Sequence, residues 1–150
     1  MSGLPPSTHA LVTGGGRGIG REIASVLMKA GATVTVLGRD RASLDHAVAA
    51  GSAHFAAVAD VADQAAIAAA IAEVAARKPI DILIANAGAA ESAPFAKSDA
   101  ALFRRMMDVN FMGVVYAVQA VLPSMKDQRY GRIVAVASTA GLKGYAYVSA

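Results

Sequence analysis

The chain has 150 residues, of which 55% are hydrophobic and 17% charged; that is enough apolar material for one packed domain spanning 1–150 and too little charge for a disordered segment. Its 14 Lys and Arg against 11 Asp and Glu give a net charge of +3, and the cations are scattered rather than clustered, which argues against nucleic-acid binding. There is no cysteine, so disulfides and thiolate metal sites are excluded, in keeping with a cytoplasmic location.

Residues 1–9 are polar with two prolines and lack the basic-then-apolar pattern of a signal peptide. His9–Thr13 (HALVT) predicts a first strand, ended by glycines. A helix is predicted over 19–30, with Ile19, Ile23, Val26, Leu27 and Ala30 on one face and Gly31 as its stop. The β-branched run 33–37 (TVTVL) predicts a strand buried on both faces. A weakly patterned helix over 42–50, a strand over 55–59 and an alanine-rich helix over 63–77 follow, then a strand over 80–85 (IDILIA). Residues 99–125 predict one long helical stretch and 132–137 (RIVAVA) a fifth strand. Charges and glycines are expected to break every apolar run short of the roughly 18 residues a membrane helix needs, so no membrane association is expected.

Strand and helix alternate with short connections, which predicts an α/β fold: a doubly wound, Rossmann-type parallel sheet with helices on both faces. In such sheets ligands bind beyond the carboxyl ends of the strands, where the strand order reverses. The first strand runs straight into Thr13-Gly14-Gly15-Gly16-Arg17-Gly18-Ile19-Gly20 and then a helix. Glycines there let the backbone turn tightly and approach a pyrophosphate, and the helix N-terminus offers free N–H groups and partial positive charge. The alternative is a tight strand-to-helix turn without a ligand. A nucleoside-triphosphatase phosphate loop does not fit, because Arg21-Glu22 stand where Lys-Ser/Thr would be needed.

With its Thr-Gly, three residues, Gly, one residue, Gly spacing, this segment resembles the nucleotide signature of the short-chain dehydrogenase/reductase family, and the resemblance continues along the chain. Asp60-Val61 after the third strand matches an acidic position that contacts adenine in the family. Asn86-Ala87-Gly88 after the fourth matches the second half of an Asn-Asn-Ala-Gly motif, with Ala85 in place of the first Asn. Asn110, within Asp108-Val109-Asn110-Phe111, matches the active-site asparagine, and Ser138 after the fifth strand matches the catalytic serine. Asp60 has an alternative role as a helix cap, and Asn86 and Gly88 as turn formers.

The resemblance implies an oxidoreductase that interconverts a ketone, such as a 3-oxoacyl thioester, and a secondary alcohol by hydride transfer, acting on a small-molecule carbonyl or alcohol substrate as a homo-oligomer. Its cofactor-binding residues would be Gly14, Arg17, Gly18, Ile19, Gly20, Arg39, Asp60, Val61, Asn86, Ala87 and Gly88, its catalytic ones Asn110 and Ser138, with no metal. NADP is favoured over NAD. Position 38, where an NAD enzyme carries an acidic residue for the ribose, is Gly38, and Arg39 and Arg17 suit a 2′-phosphate. The competing arrangement has Asp40 turning back to the ribose. A methyltransferase on a related sheet would need an acidic residue at Gly38-Arg39, and a binding module without catalysis remains the alternative reading. The family's Tyr-x-x-x-Lys pair is not met: Tyr145 is followed four residues on by Ser149, and Tyr147 by nothing within the 150 residues. The catalytic tyrosine is expected near position 151, so the chain is expected to end before the Tyr-Lys helix and to be inactive and aggregation-prone alone. Tyr145 and Tyr147 are expected to pack or to line the substrate entrance, and the fifth strand to stand as an apolar edge.

Overall fold

The computed structural model describes residues 4–5, 7–144 and 146–147. Its strands are β1 (His9–Thr13), β2 (Thr33–Gly38), β3 (Phe55–Val58), β4 (Ile82–Ala85) and β5 (Arg132–Ala135). Its helices are α1 (Gly18–Lys29), α2 (Arg41–Ala49), α3 (Gln64–Arg77), α4 (Ala100–Met107) and α5 (Gly113–Asp127). The sheet is wholly parallel in the order β3-β2-β1-β4-β5. From β1 the chain steps outward to β2 and β3, then crosses back to place β4 on the other flank of β1. The strand order therefore reverses between β1 and β4, which opens a crevice at their carboxyl ends. This is the Rossmann-type α/β fold that the sequence pattern predicts.

Alternation along each strand builds two cores. Ala10 and Val12 of β1 join Val34, Val36, Ile82 and Ile84 beneath α1 and α2, where Ala24, Leu44 and Ala47 close the layer. Leu11 joins Leu37 and Leu83 on the opposite face, under Ile67, Ile71 and Val74 of α3 and Ala117, Val121 and Met125 of α5. Leu11, Leu37, Leu44, Ile67 and Leu83 are fully buried, each stabilising the fold by about 1.5–3 kcal/mol relative to exposure. Aspartates start three of the helices: Asp40 accepts from the Ala42 and Ser43 N–H groups, Asp63 from Ala65 and Ala66, and Asp99 from Leu102. Gly31, at φ +97°, ends α1.

The structure corrects several boundaries. The apolar face predicted for α1 is split: Gly20 and Ala24 are its buried residues, whereas Ile19 and Val26 are exposed. Small residues face the sheet because α1 approaches it closely. The long helical stretch predicted over 99–125 is present, but it contains a π-helical segment, Asp108–Met112, between α4 and α5. Taken together, Ala100–Asp127 is 28 residues of helix that is long and apolar enough, by length and composition, to span a membrane. The expectation that every such run is broken therefore fails. The same stretch buries Ala117, Val121 and Met125 in the core, and the core accounts for this part of its apolar character. β5 is an apolar edge as predicted: Ile133, Val134 and Val136 are 39–48% exposed, with β4 its only strand neighbour among the described residues.

At the amino end of the sheet, buried His9 joins three elements. Its Nδ1 lies 2.9 Å from the Lys78 carbonyl oxygen and its Nε2 2.8 Å from Thr35 Oγ1. A carbonyl only accepts, so Nδ1 carries the proton and, in the neutral ring, Nε2 accepts from the Thr35 hydroxyl. Burial pushes the His9 pKa below the ordinary 6.5, against the opposing pull of the backbone carbonyls. As pH falls through the ordinary histidine range, the unfolded chain takes up the proton before the folded one, so stability falls with it. Denaturant unfolding between pH 7.5 and 5.5 is expected to show this loss. His9→Gln, which keeps a donor and an acceptor but does not titrate, is expected to flatten it; an unchanged pH slope would remove His9 as its source.

Candidate functional site

The crevice at the carboxyl ends of β1, β2, β3 and β4 is a cleft of about 370 Å³. Its walls are the glycine turn, the ends of β2 and β3, and the turn after β4. Of the predicted binding residues it brings together all eleven: Gly14, Arg17, Gly18, Ile19, Gly20, Arg39, Asp60, Val61, Asn86, Ala87 and Gly88. Gly16, Ser43, Leu44, Ala59 and Val109, which the sequence did not single out, also line it, as do Gly38 and Asp40.

The glycine turn is shaped by what lies against it. Gly14 sits at φ +65° and Gly18 at φ +53°, in the left-handed region that glycine enters without strain. A Cβ on Gly15 would come within 2.5 Å of Val36 Cγ1. One on Gly20 would overlap the Gly14 carbonyl oxygen and lie 2.5 Å from Asn86 Nδ2. The turn thus folds flat onto β2 and the β4 turn, and leaves the N-terminus of α1 facing the cleft. Arg17 precedes α1, whose first N–H groups receive no side-chain cap; unpaired N–H groups at a helix start, with the helix dipole, suit a phosphate.

Thr13 ties the two flanks of the crevice together, a role the sequence reading missed. Its buried hydroxyl accepts from the Asn86 and Ala87 N–H groups, each at 3.0 Å. The Asn86 side-chain Nδ2 donates back to the Thr13 and Gly14 carbonyl oxygens at 3.0 and 3.4 Å. The turn-forming alternative for Asn86 is thus real, and it serves the site: the amide holds the glycine turn in place from across the crevice. The signal in the sequence was a polar β-branched residue directly after the aliphatic run Ala10-Leu11-Val12.

On the other wall, Asp40 borders the cleft but is taken up by α2 as its cap, its carboxylate already accepting from two backbone N–H groups. Asp60 does not cap α3; Asp63 does. One Asp60 oxygen accepts from the Ala62 N–H at 3.0 Å, and the other stands 3.4 Å from Arg39 Nη1.

Neither Asn110 nor Ser138 lines this cleft. Asn110 lies in the π-helical segment, where its side chain makes a closed pair with the backbone of Ala89. Nδ2 donates to the Ala89 carbonyl oxygen at 2.9 Å and Oδ1 accepts from the Ala89 N–H at 2.8 Å. The asparagine thereby fixes the segment after Gly88. Ser138 caps the short helical turn Thr139–Gly141 by accepting from the Ala140 N–H at 3.1 Å, which leaves its hydroxyl hydrogen to donate elsewhere. Tyr147 is 65% exposed, so of its two expected roles packing is the one it does not fill. Its carbonyl accepts from Ala93 N–H at 2.9 Å, so it lies beside the segment after β4. Tyr145 lies outside the described residues.

Comparison with known proteins agrees with this geometry. A family model described as short chain dehydrogenase matches residues 8–150. This chain belongs to the short chain dehydrogenase family. It is 33% identical over 149 residues to the 3-ketodihydrosphingosine reductase of Bos taurus, covering 93% of the chain and 45% of that protein. It is 41% identical over 133 residues to the D-erythrulose reductase of Gallus gallus, covering 88% and 53%. A gluconate 5-dehydrogenase from Burkholderia cenocepacia, solved in complex with NADP and tartrate, superposes with a TM-score of 0.87 at 33% identity, over 95% of this chain and 58% of that one. The chain spans about half the length of the curated relatives it matches.

Proposed function

We propose that the chain binds a nicotinamide dinucleotide in the cleft, NADP in preference to NAD, as part of an oxidoreductase that interconverts a ketone and a secondary alcohol. The observation that carries this reading is the convergence of the glycine turn, the Asp60-Val61 turn and the Asn86–Gly88 turn on one crevice at the strand-order reversal. The residues fit the group: a Cβ-free turn for close backbone approach, an uncapped helix start for the pyrophosphate, and a cleft large enough for one end of a dinucleotide. The cofactor, when bound, supplies the hydride chemistry. The protein positions it, with Gly14–Gly20 against the phosphates and Asp60-Val61 toward the adenine.

Preference for NADP rests on Gly38, Arg39 and Arg17. An acidic residue in place of Gly38 would repel a 2′-phosphate, and Asp40 is committed to α2. Arg39 and Arg17 both line the cleft, and a guanidinium pairs with phosphate through two parallel hydrogen bonds. The NADP-bound neighbour supports the same reading. Titration of the chain with NADPH and NADH, followed by fluorescence or calorimetry, is expected to show NADPH bound at least tenfold more tightly, the scale of one charge-assisted hydrogen-bond pair. Arg39→Ala is expected to remove most of that difference. Equal or tighter NADH binding would overturn the NADP assignment and point back to Asp40.

For the chemistry, the family resemblance gives Ser138 the substrate oxygen as its hydrogen-bond partner, and the Ser138 hydroxyl keeps its hydrogen for that purpose. Asn110, whose side chain is engaged by Ala89, would act through the backbone it holds rather than by direct contact. A binding module without catalysis is the second reading, favoured by one observation: neither Asn110 nor Ser138 lines the cleft. The chain alone is expected to bind nucleotide without measurable ketone reduction. Turnover by it would show that the general acid is supplied by some other residue.

A further inference from the structure

The adenine-side wall of the cleft contains one ion pair, Arg39 with Asp60. It arises from the sheet itself. Gly38 and Val58 are register partners on adjacent strands, and the Ala59 N–H donates to the Gly38 carbonyl oxygen at 3.0 Å. The residues that follow, Arg39 after β2 and Asp60 after β3, are therefore held side by side at the lip of the crevice. Asp60 is anchored: its Oδ1 accepts from the Ala62 N–H, so the carboxylate cannot turn freely. Its Oδ2 meets Arg39 Nη1 at 3.4 Å. Asp60 is the more enclosed partner, 39% against 68% for Arg39.

We infer that Asp60 is a positioning residue for Arg39, and that the 2′-phosphate preference depends on Asp60 as well as on the arginine. This rests on the proposed preference for NADP. An arginine on an open lip has many rotamers, and ordering it on binding carries an entropic cost. Asp60 takes one N–H of the guanidinium and leaves the remaining donors of the fork for a phosphate. Asp60 then has two separable effects on a nucleotide: a contact to adenine, felt equally by ligands with and without a 2′-phosphate, and an orientation of Arg39, felt only by ligands that carry one.

The test separates them. Adenosine 2′,5′-bisphosphate and adenosine 5′-monophosphate are titrated calorimetrically against the chain, Asp60→Asn, Arg39→Ala and the double variant, with thermal unfolding as a control for folding. The ratio of the two affinities is expected to fall about threefold to fivefold in Asp60→Asn, the scale of an exposed ion pair, and to be unaffected by Asp60→Asn once Arg39 is alanine. An unchanged ratio in Asp60→Asn, with both ligands weakened alike, would leave Asp60 with adenine alone and overturn the inference, and so would a ratio that rises. A ratio near one in the unsubstituted chain would overturn the NADP reading on which it stands, a result distinguishable because it appears before any substitution. If Asp60→Asn does not fold, raising the salt concentration screens the same exposed pair. The ratio is then expected to fall faster with salt in the unsubstituted chain than in Asp60→Glu, whose longer side chain loses the anchor to Ala62.

Discussion

Gly20→Ala is expected to abolish detectable dinucleotide binding and to destabilise the fold by about 2–3 kcal/mol, the upper part of the range for overpacking. The added methyl would overlap the Gly14 carbonyl oxygen and press on Asn86 Nδ2 at 2.5 Å. Neither neighbour is the loose end of a side chain. The carbonyl belongs to the turn itself, and the amide is held by two hydrogen bonds to Thr13 and Gly14. Relief must come from moving α1 away from the β1 turn, which displaces the helix N-terminus that faces the cleft. Stability and binding are thus lost together. Denaturant unfolding and NADPH calorimetry on the same preparation check this. Gly18→Ala is the internal control: nothing lies within 4 Å of its Cβ position, so that variant bears only the strain of φ +53°, about 1 kcal/mol or somewhat more. Binding retained in Gly20→Ala would mean that the turn does not contact the phosphates closely.

The fold was legible wherever local pattern and tertiary packing agree. The three central strands, β1, β2 and β4, are found where continuous runs predict them, because strands buried on both faces carry apolar residues nearly throughout. The glycine turn was legible because Gly14, Gly15 and Gly20 stand too close to their neighbours for a Cβ and Gly18 sits at φ +53°. The π-helical turn at 108–112 was not. A helical pattern runs through it, and the π-helical turn is stabilised by Asn110 pairing with the backbone of Ala89, 21 positions earlier, a partner that no local window contains. The placing of Asp40 and Asp60 was ambiguous for the same reason. Each precedes a helix, and only the structure shows that Asp40 and Asp63 cap while Asp60 is left to face Arg39. Exposed Ile19 and Val26 show the reverse limit: apolar spacing marks a face but does not say which part of it is covered.

Thr13→Val is the second substitution with a large expected effect, and it probes the crevice from the opposite side. Valine keeps the volume and β-branched shape at a position that is 2% exposed, so packing in β1 is preserved. What it removes is one oxygen that accepts from both Asn86 N–H and Ala87 N–H. Two backbone donors lose their acceptor in a half-buried turn, and each unsatisfied group costs about 1–3 kcal/mol; with water reaching part of the turn, a total of about 2–3 kcal/mol is expected. The Asn86 side chain would still reach Thr13's carbonyl position, but the backbone that carries it would be free to shift, so the amide would no longer hold the glycine turn. Dinucleotide affinity is expected to drop by roughly tenfold or more, corresponding to about 1.4 kcal/mol of lost preorganisation. Thr13→Ser is the decisive comparison. It keeps the hydroxyl and deletes only the methyl, at a cost of about 1 kcal/mol, and should bind as the unsubstituted chain does. If serine weakens binding and valine does not, the methyl rather than the hydroxyl holds the two walls of the crevice together, and the hydrogen-bonded link between β1 and the β4 turn is not what sets the site.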